Sequence, residues 1–386
     1  MKFEFATITR IVFGAGAVKH VATEMLMKRH GRRAFVVTGR NARHGEALAA
    51  VLRGQGMDVV NFSVSGEPEI DTVRAGVALA KQERRNFVIG IGGGSAIDAG
   101  KAIAAMLTNN GDLLDYIEII GRGKALTKWS APFTAIPTTA GTGSEVTRNA
   151  VLASPEHKVK VSLRSPLMAA RVAVVDPELT YDLPPALTAS TGMDALTQLI
   201  EPFVCNRANP MTDGLCVEGL RRAARSLRVA FSKGQDKDAR EDMAVASLFG
   251  GLALSNAGLG AVHGFAGPMG GSFSAPHGAI CAALLPHVMA MNLRALRQRD
   301  PNGAALHRYE EAAWWLTGDS QAKADDGVKW VRALVTDLKI PRLGSFGIQR
   351  EHFPELVAKA ANASSMKANP ILLTPGELTE ILEQAF

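Results

Sequence analysis

The chain has 386 residues, too many for one ordinary core and enough for two. Hydrophobic residues make up 47% of it, so both parts can be globular, and the net charge of +6 arises from basic residues scattered among nearly as many acidic ones. With aromatics at 6%, the composition excludes the basic, aromatic-interleaved stripe that a nucleic-acid surface requires.

In chain order, residues 1–7 alternate like a strand and carry Glu4, which no signal peptide would. Gly14-Ala-Gly16 reads as a turn. The densest basic cluster, Lys28-Arg29-His30-Gly31-Arg32-Arg33, reads as a cationic helix end that turns into a strand. Short apolar runs at 34–37, 59–62, 87–91 and 133–136 predict buried strands, and helical spacing at 42–55, 72–84 and 96–107 alternates with them. Apolar strands alternating with helices mean a parallel sheet covered on both faces.

The character changes near Pro184. Residues 187–205, 210–230, 239–256, 277–296, 306–315, 322–338, 351–361 and 375–384 all read as helices, with Thr188 or Ser190 as a candidate cap for the first. The apolar stretch 244–262 reads as a buried helix beside a site rather than a membrane span. The expected division is residues 1–183, an α/β dinucleotide-binding domain, and residues 184–386, an all-helical metal and substrate domain. Cys205, Cys216 and Cys281 show neither metal-type pairing nor a disulfide pattern, and point to a reduced, cytoplasmic protein.

Gly92-Gly93-Gly94-Ser95 lies between a predicted strand and helix, where glycines admit a pyrophosphate and helix N–H groups attract its charge. Asp98 and Lys101, three residues apart, are expected to pair on the helix surface. Pro137-Thr-Thr-Ala-Gly-Thr-Gly-Ser-Glu145 can line a ribose or nicotinamide pocket, or simply cap a helix through Thr142 or Ser144. Asp194 and Gln198 share a helix face, and a glycine-rich reversal can bring His263 and His277 to the same point. One carboxylate and two imidazoles suit Zn²⁺ or Fe²⁺.

Gly92-Gly-Gly-Ser-Ala-Ile-Asp98, the 137–146 loop, Asp176-Pro-Glu-Leu-Thr180, Gly192-Met-Asp-Ala-Leu196, Pro276-His-Gly278 and Leu285-Pro-His-Val-Met289 together resemble the signatures of the iron-containing (group III) alcohol dehydrogenases. The resemblance implies a Rossmann-like parallel-sheet N-terminal domain plus an all-α C-terminal domain, the dehydroquinate synthase-like architecture, with the site in the cleft between them. It implies NAD(P)-dependent interconversion of an alcohol and an aldehyde or ketone, and a homodimer or higher homo-oligomer. By position it places the cofactor on Gly93, Gly94, Ser95, Thr138, Thr139, Thr142, Lys160 and Leu179. The metal falls on Asp194, Gln198, His263 and His277.

Two departures stand out. Gln198 replaces an imidazole ligand, and Gly267 replaces a histidine thought to relay a proton. In one reading Asp194, His263 and His277 still hold a divalent metal, as three such ligands do in related glycerol dehydrogenases. In the other no metal binds, and His263 or His277 is the general acid, as in maleylacetate reductases. A non-catalytic nucleotide-binding protein is a further alternative, whereas the ligands and phosphate binders of the dehydroquinate synthases are not found. The first is favoured because Asp194 is poorly placed without a cation. Family members that prefer NAD carry an aspartate where this chain has Gly39. With Arg40 and Arg43 nearby, NADP(H) is expected to be accepted. Gly267 also predicts a bulkier or differently charged substrate than a simple primary alcohol. Neither nucleic acid nor a membrane is expected as a partner.

Overall fold

The computed structural model describes residues 2–8, 10–19, 31–273 and 275–386. Lys28, Arg29 and His30 of the basic cluster lie outside the described residues. The chain divides into two compact units: Thr7–Thr139 with Gly143–Tyr181, and Met1–Ala6 with Ala140–Thr142 and Asp182–Phe386.

The first unit is built on a six-stranded, all-parallel sheet in the order β1 (Ile11–Phe13), β8 (Val172–Val175), β5 (Phe133–Pro137), β4 (Phe87–Gly92), β2 (Arg33–Thr38), β3 (Asp58–Ser63). Every residue of β4, β5 and β8 is buried, which requires cover on both sheet faces and explains why these strands are continuous apolar runs. Helices α1 (Arg43–Gly54), α2 (Ile70–Gln82) and α3 (Gly94–Thr108) alternate with the strands. From β2 the chain goes outward to β3 and then returns to β4 on the other side, so the strand order reverses between β2 and β4. At such a reversal, loops leaving the strand C-termini diverge and open a crevice. Phe35, Val36, Ile89 and Leu52 are fully buried at the centre of this unit.

Some elements here differ from expectation. Residues 2–8 form no strand; alternation without a pairing partner is not enough, and the Ala6 N–H instead donates to Asn256 Oδ1 (2.7 Å). β1 and β8 went unpredicted, as did an antiparallel hairpin of β6 (Asn149–Ser154) and β7 (Val159–Arg164). The Gly14–Gly16 turn is present and leads into helical residues 17–19. Asp98 and Lys101 pair at 3.1 Å, but in the interior: no part of the Lys101 side chain is exposed.

The second unit is helical: α4 (Pro185–Val204), α5 (Pro210–Ser232), α6 (Lys237–Asn256), α7 (Ala261–Ser272), α8 (His277–Arg299), α9 (Ala304–Thr317), α10 (Ala324–Asp337), α11 (Phe353–Asn362) and α12 (Pro375–Ala385). Local signals set several boundaries. Asn209 caps α5 through Met211 and Thr212 with Pro210 at the first position, and Thr374 and Glu377 form a capping box on α12. Neither Thr188 nor Ser190 caps α4, which starts at Pro185; Thr188 Oγ1 accepts from Arg240 instead (2.9 Å), and Ser190 donates to Leu187 O. Glycines bring α4 and α5 together, since a Cβ at Gly192 would lie 2.2 Å from Leu227 and one at Gly219 2.4 Å from Leu199.

The stretch 244–262 is not one helix. α6 ends at Asn256, and the chain bends by 98° before α7 begins at Ala261. The expected reversal between His263 and His277 is likewise mostly helix, running to Ser272 despite Pro268 and four glycines. α8 is long and apolar enough to cross a membrane, but Ile280, Cys281, Ala282, Leu284 and Leu296 are fully buried in the core of this unit.

Candidate active site and metal centre

In the α/β unit the predicted cofactor residues gather at the C-terminal ends of β2, β4 and β5. Thr38 and Ile91 are register partners, so Gly39 and Gly92 emerge side by side. A Cβ at Gly92 would stand 3.2 Å from Gly39 N and 2.7 Å from Ala96, at φ +156°, so only glycine fits there. Gly93 is the N-cap of α3, whose first intrahelical bond is Ala96 N–H to Gly93 O (3.1 Å). Gly94 and Ser95 thus present their N–H groups ahead of the ladder. Thr138 N–H donates to Gly92 O (2.9 Å), and Thr139 lies 3.5 Å from a Cβ at Gly93. This cradle has the form that a pyrophosphate needs. A Cβ at Gly39 would meet nothing within 4 Å.

Three predicted contacts are placed differently. Lys160, on β7, pairs with Glu67 at 3.0 Å. Leu179 is half-buried against the core formed by Leu48, Ile89 and Val174. Thr142 falls in the helical unit. Asp176 has a structural use: its carboxylate accepts from Gly16 and Val18 N–H (3.0 and 3.1 Å) and holds the early turn.

Lys101 ties the 144–149 loop to α3. Its ammonium donates to Ser144 O and Thr147 Oγ1 (both 2.9 Å) and to Asn149 O, beside Asp98. Asp98 also accepts from Ser144 Oγ and from Val151 N–H (2.9 Å). Ser144 begins a 3-10 turn whose N-cap is Gly143 at φ +58°, so neither Thr142 nor Ser144 caps a helix there. Burial pushes the neighbouring Glu145 carboxyl up to about 7.

In the helical unit Asp194, His263 and His277 do converge. Asp194 Oδ1 lies 3.4 Å from His263 Nε2 and 3.8 Å from His277 Nε2. A fourth side chain joins them: Cys281 Sγ is 3.9 Å from His263 Nε2 and 3.7 Å from His277 Nε2, and all four donor atoms lie within 4.8 Å of one another. The expectation that no cysteine belongs to a metal-type group is therefore corrected. The signal was present as His277 and Cys281 four apart on one helix face. The approach of the two helices depends on Gly278, since a Cβ there would lie 2.1 Å from Ser190 O.

Glu201 was also missed, although Asp194, Gln198 and Glu201 follow the i, i+4, i+7 spacing of one helix face. Its carboxylate accepts from Val262 N–H (2.7 Å) and bonds His263 Nδ1 at 2.6 Å. With His263 Nδ1–H engaged there, Nε2 is the nitrogen that faces Asp194 and Cys281, the arrangement found around metal-bound imidazoles.

The cluster favours positive charge. Burial alone would raise the Asp194 carboxyl, but His277 and His263 hold it below its usual range. Burial alone would lower both imidazoles, yet Cys281 with Glu201 and Asp194 lifts His263 well above its ordinary value, and Cys281 with Asp194 lifts His277. Asp194 Oδ1 is buried without a hydrogen-bond partner, 3.4 Å from His263 Nε2. Gln198 Oε1 is also buried without a partner, 3.6 Å from a Cβ at Gly250. An orphaned carboxylate oxygen facing two ring nitrogens fits a divalent cation.

Replacing Glu201 by Gln is expected to weaken metal binding by about 10–100-fold with the fold intact, because Glu201 uses one oxygen for Val262 and the other for His263, and the amide puts an NH₂ donor in place of one of them. Metal titration against a chromophoric chelator checks this, and unchanged affinity would refute the role given to Glu201.

The family model "Iron-containing alcohol dehydrogenase" matches residues 8–177, and "Fe-containing alcohol dehydrogenase family, C-terminal" matches residues 188–386. The chain is 35% identical over 384 residues to alcohol dehydrogenase 4 of Saccharomyces cerevisiae, with 97% of this chain and 96% of the relative covered. It is 34% identical over 385 residues to the NAD-dependent methanol dehydrogenase of Bacillus methanolicus, with 97% of each chain covered. A crystal structure of 1,3-propanediol oxidoreductase superposes with a TM-score of 0.92 at 34% identity, covering 100% of both chains. The chain belongs to the iron-containing alcohol dehydrogenase family and is an NAD(P)-dependent oxidoreductase acting between alcohols and aldehydes.

Proposed function

We propose that the enzyme reduces an aldehyde or ketone larger or more polar than acetaldehyde, accepts NADP(H), and works with a divalent metal held by Asp194, His263 and His277 with Gln198 beside them. The convergence of those three side chains around the orphaned Asp194 oxygen carries the reading. Residues 1–183 are assigned to the dinucleotide and residues 184–386 to metal and substrate. A cytoplasmic homodimer or larger homo-oligomer belongs to the same reading, and three free cysteines suit a reducing compartment.

Gly92, Gly93, Gly94 and Ser95 receive the pyrophosphate through backbone N–H groups, with Thr138 and Thr139 beside them. Gly39 leaves room for a ribose 2′-phosphate where a carboxylate would repel it, and exposed Arg40 and Arg43 supply positive charge nearby. Lys160 and Leu179 would line the cofactor only at the margin, given their partners.

When bound, the coenzyme supplies a hydride and the metal polarises the substrate oxygen. Asp194 and His263 orient through fixed contacts and stay buried. His277, with 31% of its side chain exposed, is the imidazole open to solvent, and its Nε2, 3.8 Å from Asp194 Oδ1, is the nitrogen that would face the metal. Gly267 follows His263 by four residues on α7, and nothing lies within 4 Å of a Cβ there, so this side admits bulk.

Initial rates across an aldehyde and ketone panel, with NADPH and NADH in parallel, test the proposal. NADPH should turn over at least as well as NADH, and branched or polar carbonyls should exceed acetaldehyde in kcat/KM. NADH strongly preferred would refute the coenzyme assignment. Ethanol or 1,2-propanediol as best substrate would refute the enlarged site.

A further inference from the structure

Cys281 has no part in the reading above, yet its sulfur closes the cluster. A tetrahedral ion bound through nitrogen, oxygen and sulfur at 2.0–2.3 Å keeps its donors about 3.3–3.6 Å apart. Four of the six edges of the cluster measure 3.4, 3.7, 3.8 and 3.9 Å and the other two stay within 4.8 Å, so a modest contraction onto a cation reaches that figure. The thiol is fully buried, lies one turn after His277 on α8, and stays within 4.8 Å of the partnerless Asp194 oxygen. Gln198 makes a poorer fourth donor. Its oxygen lies beside Gly250, and a neutral amide brings no charge to a site that must stabilise a dication.

We propose that Cys281 is the fourth protein ligand, in place of Gln198, and that the resulting Asp–His–His–Cys set selects Zn²⁺ over Fe²⁺. The inference rests on the metal reading of the same cluster, and the substrate oxygen would then enter as a fifth donor. The sulfur binds as thiolate, and its proton is released to solvent as the cation enters. Thiolate is a soft donor, and replacing a nitrogen by sulfur shifts preference toward thiophilic, redox-silent zinc. Glu201 serves this site unchanged, since it acts on the far nitrogen of His263.

The test uses the full-length protein stripped by chelator and reloaded with Co²⁺, alongside zinc X-ray absorption on the untreated enzyme. Wild type should show visible ligand-field bands and an intense near-ultraviolet sulfur-to-cobalt band. Cys281→Ser should lose only the latter, while Gln198→Ala should keep both. Zinc absorption should contain a sulfur shell at about 2.3 Å, a readout that needs no variant to fold. Zinc should exceed iron in protein grown with both metals, and Cys281→Ser should bind zinc at least about tenfold more weakly. Cobalt bound without the sulfur band, or a zinc shell of nitrogen and oxygen alone, overturns the role of Cys281 and leaves the Asp194–His263–His277 reading standing. An iron-only enzyme overturns the selectivity. No uptake of any metal removes both.

Discussion

Asp194→Asn is expected to lower kcat/KM by about a thousandfold or more and to empty the enzyme of metal. The substitution keeps shape and removes charge. The side chain is 2% exposed and its Oδ1 has no hydrogen-bond partner, so little packing is lost. What is lost is the anion that places a cation between His263 and His277. Lewis-acid stabilisation of a developing alkoxide contributes several kcal/mol, and each 1.36 kcal/mol is about tenfold in rate. Metal content by elemental analysis and steady-state kinetics check the result together. A variant with full metal occupancy and near-normal turnover would remove Asp194 from the site. One that keeps turnover without metal would instead favour a general-acid role for His263 or His277.

Lys101→Met is expected to cost about 3–5 kcal/mol, because removing one partner of a buried pair leaves Asp98 uncompensated and the Ser144 and Asn149 carbonyls without their donor. In a unit of this size the loss corresponds to a fall of about 10 °C in melting temperature. The loop 144–149 also loses its anchor to α3, so KM for the coenzyme should rise while metal content stays constant. Combining it with Asp98→Asn should recover part of the stability, since both charges are then gone. Calorimetry of the two variants checks this, and a shift under about 2 °C for Lys101→Met would mean that the ammonium contributes nothing net.

How far the sequence could be read follows physical lines. β2, β4 and β5 were visible because a strand buried on both faces must be a continuous apolar run. β6 was not, because its alternating burial suits a hairpin rather than the parallel sheet. α7 was hidden by Gly264, Gly267, Gly270, Gly271 and Pro268, all poor helix formers; packing of Val262, Phe265, Ala266 and Met269 into the core overrides that weakness. Asp194, His263 and His277 were legible as residue types in a recognisable pattern. Cys281 and Glu201 were not, although their helical spacing is present in the sequence. A cysteine without a second cysteine, and a glutamate in a mostly apolar helix, carry no signal until the partner helices are placed.

Gly278 touches the Ser190 carbonyl with no room for a Cβ, so the gap between the helices carrying Asp194 and His277 is set by main chain against main chain. Mutagenesis libraries can therefore diversify the neighbouring lining positions, Gly267 among them, to retune substrate choice while the spacing of the coordinating atoms survives. Position 278 is the one to leave untouched.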